Sequence, residues 1–225
     1  MRKAVSLCAG AGFFLFVSTL AGQANAAVVF QQLPDFELPG TSSQGQWVSS
    51  TKGVAGTAPG YRAADNFHLS SAATISQIQW WGSPLAGGDS FTFTFYADNS
   101  GVPGTVISTA NAGSMTTSAI SGLSQATDLY STSLSTPFNA AANTPYWVSI
   151  FDAGSTADWQ WEQSEHGSAF QVQNSANSTW TQTGSDFAFS LAAVPEPTTG
   201  VLMVAATLSA LWIRPKREHR PAVLA

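Results

Sequence analysis

The sequence predicts an all-β protein, a single antiparallel sandwich of jelly-roll-like type, and three observations carry that reading. Between residues 27 and 193, short runs rich in Val, Ile, Thr, Phe, Trp and Tyr alternate with Gly, Pro, Asn and Ser, as strands separated by turns do. The clearest run, Ser90–Ala97, sets Phe91, Phe93 and Phe95 on one face and Thr92, Thr94 and Tyr96 on the other, the period of two that a half-buried strand requires. No window of the same stretch has helical periodicity, and Lys, Glu and Arg, the good helix formers among polar residues, are nearly missing from it.

The elements follow in order. Val28–Gln31, Gln46–Ser49 and Ala63–Leu69 are short candidates, and Thr74–Trp81 and Ser90–Ala97 are stronger ones. Asp98-Asn99-Ser100-Gly101 and Val102-Pro103-Gly104 form a turn, after which Thr105–Thr109 resumes as a strand. Asp128–Leu134 comes next. In Pro145–Asp152, apolar side chains fall on both faces, so this strand is expected to be covered on both sides. Asp158–Glu162, Phe170–Gln173, Thr179–Gln182 and Asp186–Leu191 complete the set, the last with Phe187, Phe189 and Leu191 in phase. No internal repeat is present, which argues against a propeller or solenoid.

Both ends of the 225-residue chain differ from this middle. Arg2 and Lys3 precede an apolar run from Ala9 to Leu20, and Ala24-Asn25-Ala26 supplies the small-x-small pattern of a signal-peptidase site. Cleavage is expected after Ala26, leaving residues 1–26 as a signal peptide and Ala27 as the mature N-terminus. The single cysteine, Cys8, lies inside that signal with too little apolar sequence before it for lipidation. The exported part then has neither a disulfide nor a thiol nucleophile, and apolar burial must stabilise it. Its charge is lopsided. Lys52 and Arg62 are the only bases against eleven acids in residues 27–194, a net of −9. Such a surface repels phosphate backbones and excludes nucleic acid as a partner.

At Val194-Pro195-Glu196-Pro197 the character changes again. Two prolines around one acid cannot continue a strand ladder. The 14 uncharged residues from Gly200 to Ile213 follow, then Arg214, Lys216, Arg217 and Arg220. A helix of that length rises about 21 Å, against a hydrocarbon core of about 30 Å. Counting from residue 199, it is a marginal span, better suited to a temporary hold than to a permanent anchor. The basic cluster orients it with the acidic domain outside the inner membrane.

In these residues the chain resembles the PEP-CTERM family of exported proteins, whose tail joins a Val-Pro-Glu-Pro motif, a short transmembrane segment and an Arg-rich end. The resemblance implies a sorting signal over residues 194–220, comprising the motif at 194–197, a helix at 199–213 and a basic tail at 214–220. It also implies recognition by an exosortase, a membrane cysteine transpeptidase-like enzyme that cleaves near the motif. Delivery to the surface of a Gram-negative-type bacterium, in association with extracellular polysaccharide or biofilm, is implied as well. Residues 63–69, Ile78-Gln79-Trp80-Trp81-Gly82, 91–103 and 145–150 resemble a domain type recurrent in that family, for which the resemblance implies no activity.

Within the exported domain, 27–193, candidate chemistry is thin, and a non-enzymatic role is expected. His68 and His166 have no metal spacing between them, and Glu165 and His166 as neighbours on a strand would point apart. Glu162 and Glu165 offer the two carboxylates of a glycosidase, a pairing that any acidic β domain provides. Asp89 and the Asp98-Asn99 turn, with Asp152 and Asp158 around a later loop, are oxygen-rich turns of the kind Ca²⁺ prefers, but no D-x-D-x-D-G run is present; ordinary Asx turns are the better account of them, and no cofactor is required. Trp80, Trp81, Trp159 and Trp161 are candidate stacking platforms for a sugar ring, with burial in the core as the competing reading.

Overall fold

A chain that alternates apolar and polar residues without helical period must satisfy its backbone in ladders, and the computed structural model is built of ladders almost throughout. It describes residues 26–37, 45–52, 60–154, 156–164, 170–174 and 179–193. The signal peptide and the tail from 194 onward lie outside these residues. Among the described residues the only helical element is one 3-10 turn, Asp35–Glu37, and no helix is long and apolar enough to cross a membrane.

The strands are β1 (Ala27–Gln32), β2 (Gln46–Val48), β3 (Tyr61–Phe67), β4 (Ala73–Gly82), β5 (Phe91–Asp98), β6 (Pro103–Ile120) and β7 (Thr127–Ala140). β8 (Tyr146–Asp152), β9 (Gln160–Ser164), β10 (Gln171–Asn174), β11 (Thr181–Gln182), β12 (Asp186–Phe187) and β13 (Phe189–Ala193) follow. Their pairing is antiparallel, in the order β1-β13-β4-β7-β6-β5-β8-β3-β10-β11, with β9 joining β2, β12 and the end of β4 at one side. The all-β, antiparallel expectation holds. The layers are not two separate sheets, however. β6 pairs β5 over Pro103–Asn111 and β7 over Ala112–Ile120, so one sheet curls on itself as a half-barrel.

Curling encloses the alternating apolar faces. Phe91, Phe93 and Phe95 are all buried and meet Trp80, Tyr130 and Phe138 from β4 and β7, while Phe67 of β3 packs edge-on against Phe95. Phe95 and Phe138 stack with centroids 4.2 Å apart, and Phe67 contacts Phe30, Phe95, Phe138 and Tyr146. Burying rings of this size is the main favourable term for a chain without disulfides. β8 is buried at every position, as its two apolar faces predict. Tyr146, Val148 and Ile150 belong to the interior, while Trp147 packs outside with Ala64, Tyr96 and Trp180.

Gly82 ends β4 where β9 crosses it. A side chain there would collide with the Trp159 ring and the Gln160 carbonyl, so glycine permits the Gly82–Trp161 pairing that attaches β9 to the end of β4. At Ala188 the expected Asp186–Leu191 strand divides into β12 and β13. There the Ala188 N–H donates to the Glu162 carbonyl at 2.9 Å, and its own carbonyl accepts the Trp161 indole N–H at 2.9 Å.

Candidate functional site

The stacking platforms proposed from sequence require correction. Trp80, Trp81, Trp159 and Trp161 are 0 to 3 % exposed. Trp80 is sandwiched among Phe91, Phe93 and Tyr130. Trp159 stands edge-on to Phe91, and Trp161 stacks on Phe187 at 4.4 Å. Trp80 and Trp81 do point to opposite faces of β4, but both faces are covered, so no indole of the four is presented to solvent. The partly exposed indoles are Trp47, 36 % exposed and edge-on to Phe170, and Trp180, against Tyr96.

The turn acids separate. Asp89 and Asp98 lie at opposite ends of β5 and cannot share one ion. Asp98 forms an Asx turn, accepting the Gly101 N–H at 3.1 Å, and receives the Trp147 indole N–H at 2.8 Å. Asn99 joins the same turn through its N–H to the Val102 carbonyl, and Ser100 takes a positive φ of 57° there. Asp158 accepts from the Gln160 amide at 2.9 Å. Among the described residues no group of three or more His, Cys, Asp or Glu converges as metal ligands would. His68 is exposed. His166, Glu165, the residues of the sorting motif and those of the signal-peptidase site up to Asn25 lie outside the described residues.

What sequence reasoning missed is a set of carboxyl groups buried without bases. Asp65 is fully buried in β3, accepting the Phe187 N–H and the Asn66 N–H at 2.7 Å each. Burial, reinforced by the nearby Asp186, holds its carboxyl well above the usual carboxylate range. Asp186 in turn accepts the Gln32 amide at 2.9 Å, so acids and amides tie β3, β12 and β1 together. The signal was available: Ala63, Asp65 and Phe67 share a face, and two of the three are plainly core residues.

Glu162 is the second case. It is fully buried on β9 and accepts from the Gln46 amide at 2.9 Å and the Thr127 hydroxyl at 3.2 Å, while its other oxygen, Oε1, has no hydrogen-bond donor. Burial is the main cause, with Asp35 adding to it, of a pKa raised from 4.5 to about 7. A glycosidase acid must reach a substrate; this one is sealed inside the protein.

The third case joins β5 to β8. Asp152, fully buried, accepts the N–H groups of Ser90 and Gly154 through Oδ1 at 2.9 and 3.1 Å. Asp89 lies within hydrogen-bond reach of it, and burial together with Asp89 raises the pKa of Asp152. The neighbouring Tyr130 hydroxyl donates to the Ser83 carbonyl at 2.6 Å, and burial with Asp128 and Asp89 pushes its pKa upward.

A small cleft, about 100 Å³, lies between the start of β1 and strands β4 and β13, lined by Ala26, Val28, Gln77, Ile78, Gln79, Ser190 and Ala192. Small-molecule sites occupy roughly 300–1,000 Å³. No protein-family profile and no curated protein matches the chain.

Proposed function

We propose that the chain is an exported, non-enzymatic surface or matrix protein, released from a transient inner-membrane tether by an exosortase and associated with extracellular polysaccharide. The observation that carries this reading is the order of features after the last strand. β13 ends at Ala193, and Val194-Pro195-Glu196-Pro197 begins at the next residue. After Thr198 and Thr199 come the 14 uncharged, mostly apolar residues 200–213 and then a basic cluster. That order places the motif between a folded cargo and a short apolar run, where a membrane enzyme can reach it. The Ala24-Asn25-Ala26 site and the charge of −9 on residues 27–194 agree with export through signal peptidase and with solubility outside the cell. The finer description of the domain as jelly-roll-like belongs to this proposal too, since the curl of one sheet brings two walls face to face. Intact-mass spectrometry of the protein from cells with and without an exosortase gene tests it. A mature form beginning at Ala27 and ending near Pro197 supports the reading; an unchanged mass in the two strains opposes it.

A further inference from the structure

The joint between β5 and β8 contains a feature that an ordinary Asx turn does not explain. Asp89 Oδ1 and Asp152 Oδ2 are both buried, and no donor from outside the pair reaches either oxygen. The other oxygen of each carboxyl is already engaged, Asp89 Oδ2 by the Gly87 N–H at 2.7 Å and Asp152 Oδ1 by Ser90 and Gly154. Each carboxyl is therefore fixed through one oxygen by backbone donors, and the two acids lie within hydrogen-bond reach of each other. A buried anionic oxygen without a donor is costly, and two in such a pair are costlier.

Neither oxygen has a base among its hydrogen-bond partners. Lys52 and Arg62 are the bases of the exported domain, and Arg62 sets its guanidinium over the Phe151 ring at 4.0 Å. Phe151 and Asp152 are consecutive on β8, so their side chains leave opposite faces. Asp128 adds a further negative charge beside the Tyr130 hydroxyl. The surrounding backbone is glycine held close. Gly87 and Gly88 adopt φ of 99° and 75°, and Gly88 and Gly154 pack backbone to backbone, so that a side chain on Gly154 would collide with the Gly88 carbonyl. Larger residues would strain the turn or push its two halves apart.

The geometry points to a calcium site in which Asp89 Oδ1 and Asp152 Oδ2 are the carboxylate ligands, with water completing an all-oxygen shell. Calcium takes 6–8 oxygen ligands on flexible turns, and extracellular modules with few carboxylates bind it at about 10⁻⁴–10⁻³ M. Two carboxylates place this site in that range. The ion bridges the 87–90 turn to the end of β8 and fastens the β5–β8 ladder at its open end. This inference does not depend on the sorting pathway.

The test uses the full chain, purified in detergent, and compares it with Asp89→Asn and Asp158→Asn. Asparagine at 89 keeps an oxygen for the Gly87 N–H but removes the charge. At 5 mM CaCl₂ the unmodified chain and D158N melt about 3–6 °C higher than in EDTA, and D89N does not respond. In a second measurement on the unmodified chain, Tb³⁺ gives saturable luminescence sensitised by Tyr130 and Trp159, which Ca²⁺ displaces at millimolar concentration. An equal calcium response in D89N, a response lost in D158N instead, or no saturable terbium signal overturns the assignment.

Discussion

Glu162 allows the consequence of a buried acid to be worked through. In the unfolded chain its carboxyl titrates near 4.5, and in the folded protein it titrates at about 7. The folded state thus binds the proton more tightly, and stability falls as pH rises from about 4.5 to about 7. The difference of roughly 2.5 units, at 1.36 kcal/mol per unit, amounts to about 3 kcal/mol. Glu162→Gln keeps the side-chain size and an oxygen for the Gln46 amide and the Thr127 hydroxyl, and it abolishes the ionisation. Urea denaturation at pH 4.5, 6 and 8 is the assay. The two proteins should match at pH 4.5, and E162Q should be more stable by about 3 kcal/mol at pH 8. For a domain of this size that is a melting temperature roughly 6–12 °C higher. Asp65 titrates in the same direction, so both proteins retain some slope; the difference between the curves isolates Glu162. Curves that stay parallel from pH 4.5 to 8 refute the reasoning.

Other perturbations act on different parts of the fold. Phe67→Ala removes a ring in contact with four aromatic neighbours and should cost about 3–5 kcal/mol by urea denaturation at constant pH. Asp65→Ala strands the N–H groups of Phe187 and Asn66 and should destabilise by about 2–4 kcal/mol, whereas Asp65→Asn, which keeps one acceptor, should cost less; equal losses would show that the carboxyl oxygens do not hold these donors. Acrylamide should quench Trp47 and Trp180 while leaving Trp80, Trp81, Trp147, Trp159 and Trp161 protected, and glycans should leave the emission of the protected set unchanged. Strong quenching of all seven would contradict the burial described above.

Where large apolar side chains are buried, on one face or on both, the fold is legible from sequence. β4, β5 and β8 fall within a residue or two of the expected Thr74–Trp81, Ser90–Ala97 and Pro145–Asp152, because Phe, Ile and Trp recur in phase there. β6 was expected to end at Thr109 but continues to Ile120. Its second half, Asn111 to Ile120, is small, polar and mostly exposed, so the ladder to β7 holds it rather than burial, and no hydrophobic period marks it. The tryptophans show a second limit. Adjacent residues on a strand must face opposite ways, but sequence does not reveal that the outward face of β4, which carries Trp81, is covered as well. The buried acids show a third. Asp65 shares the inward face of β3 with Ala63 and Phe67, and Glu162 is buried on the face of β9 opposite Trp161, yet polarity argues for solvent at both, and only the amide, hydroxyl and backbone donors contributed by other parts of the chain reconcile the two. The Asp89–Asp152 pair is likewise made by the β5–β8 register, Phe91 opposite Asp152, which the spacing of 63 residues does not disclose.

The most direct test concerns the tail. Cells carrying an exosortase should yield a protein whose C-terminal peptide, read by tandem mass spectrometry, ends within a few residues of Pro195–Pro197, and deletion of that enzyme should retain the chain in the inner membrane through Arg214–Arg220. Recovery from both strains of a membrane-embedded chain that still ends at Ala225 would contradict the account.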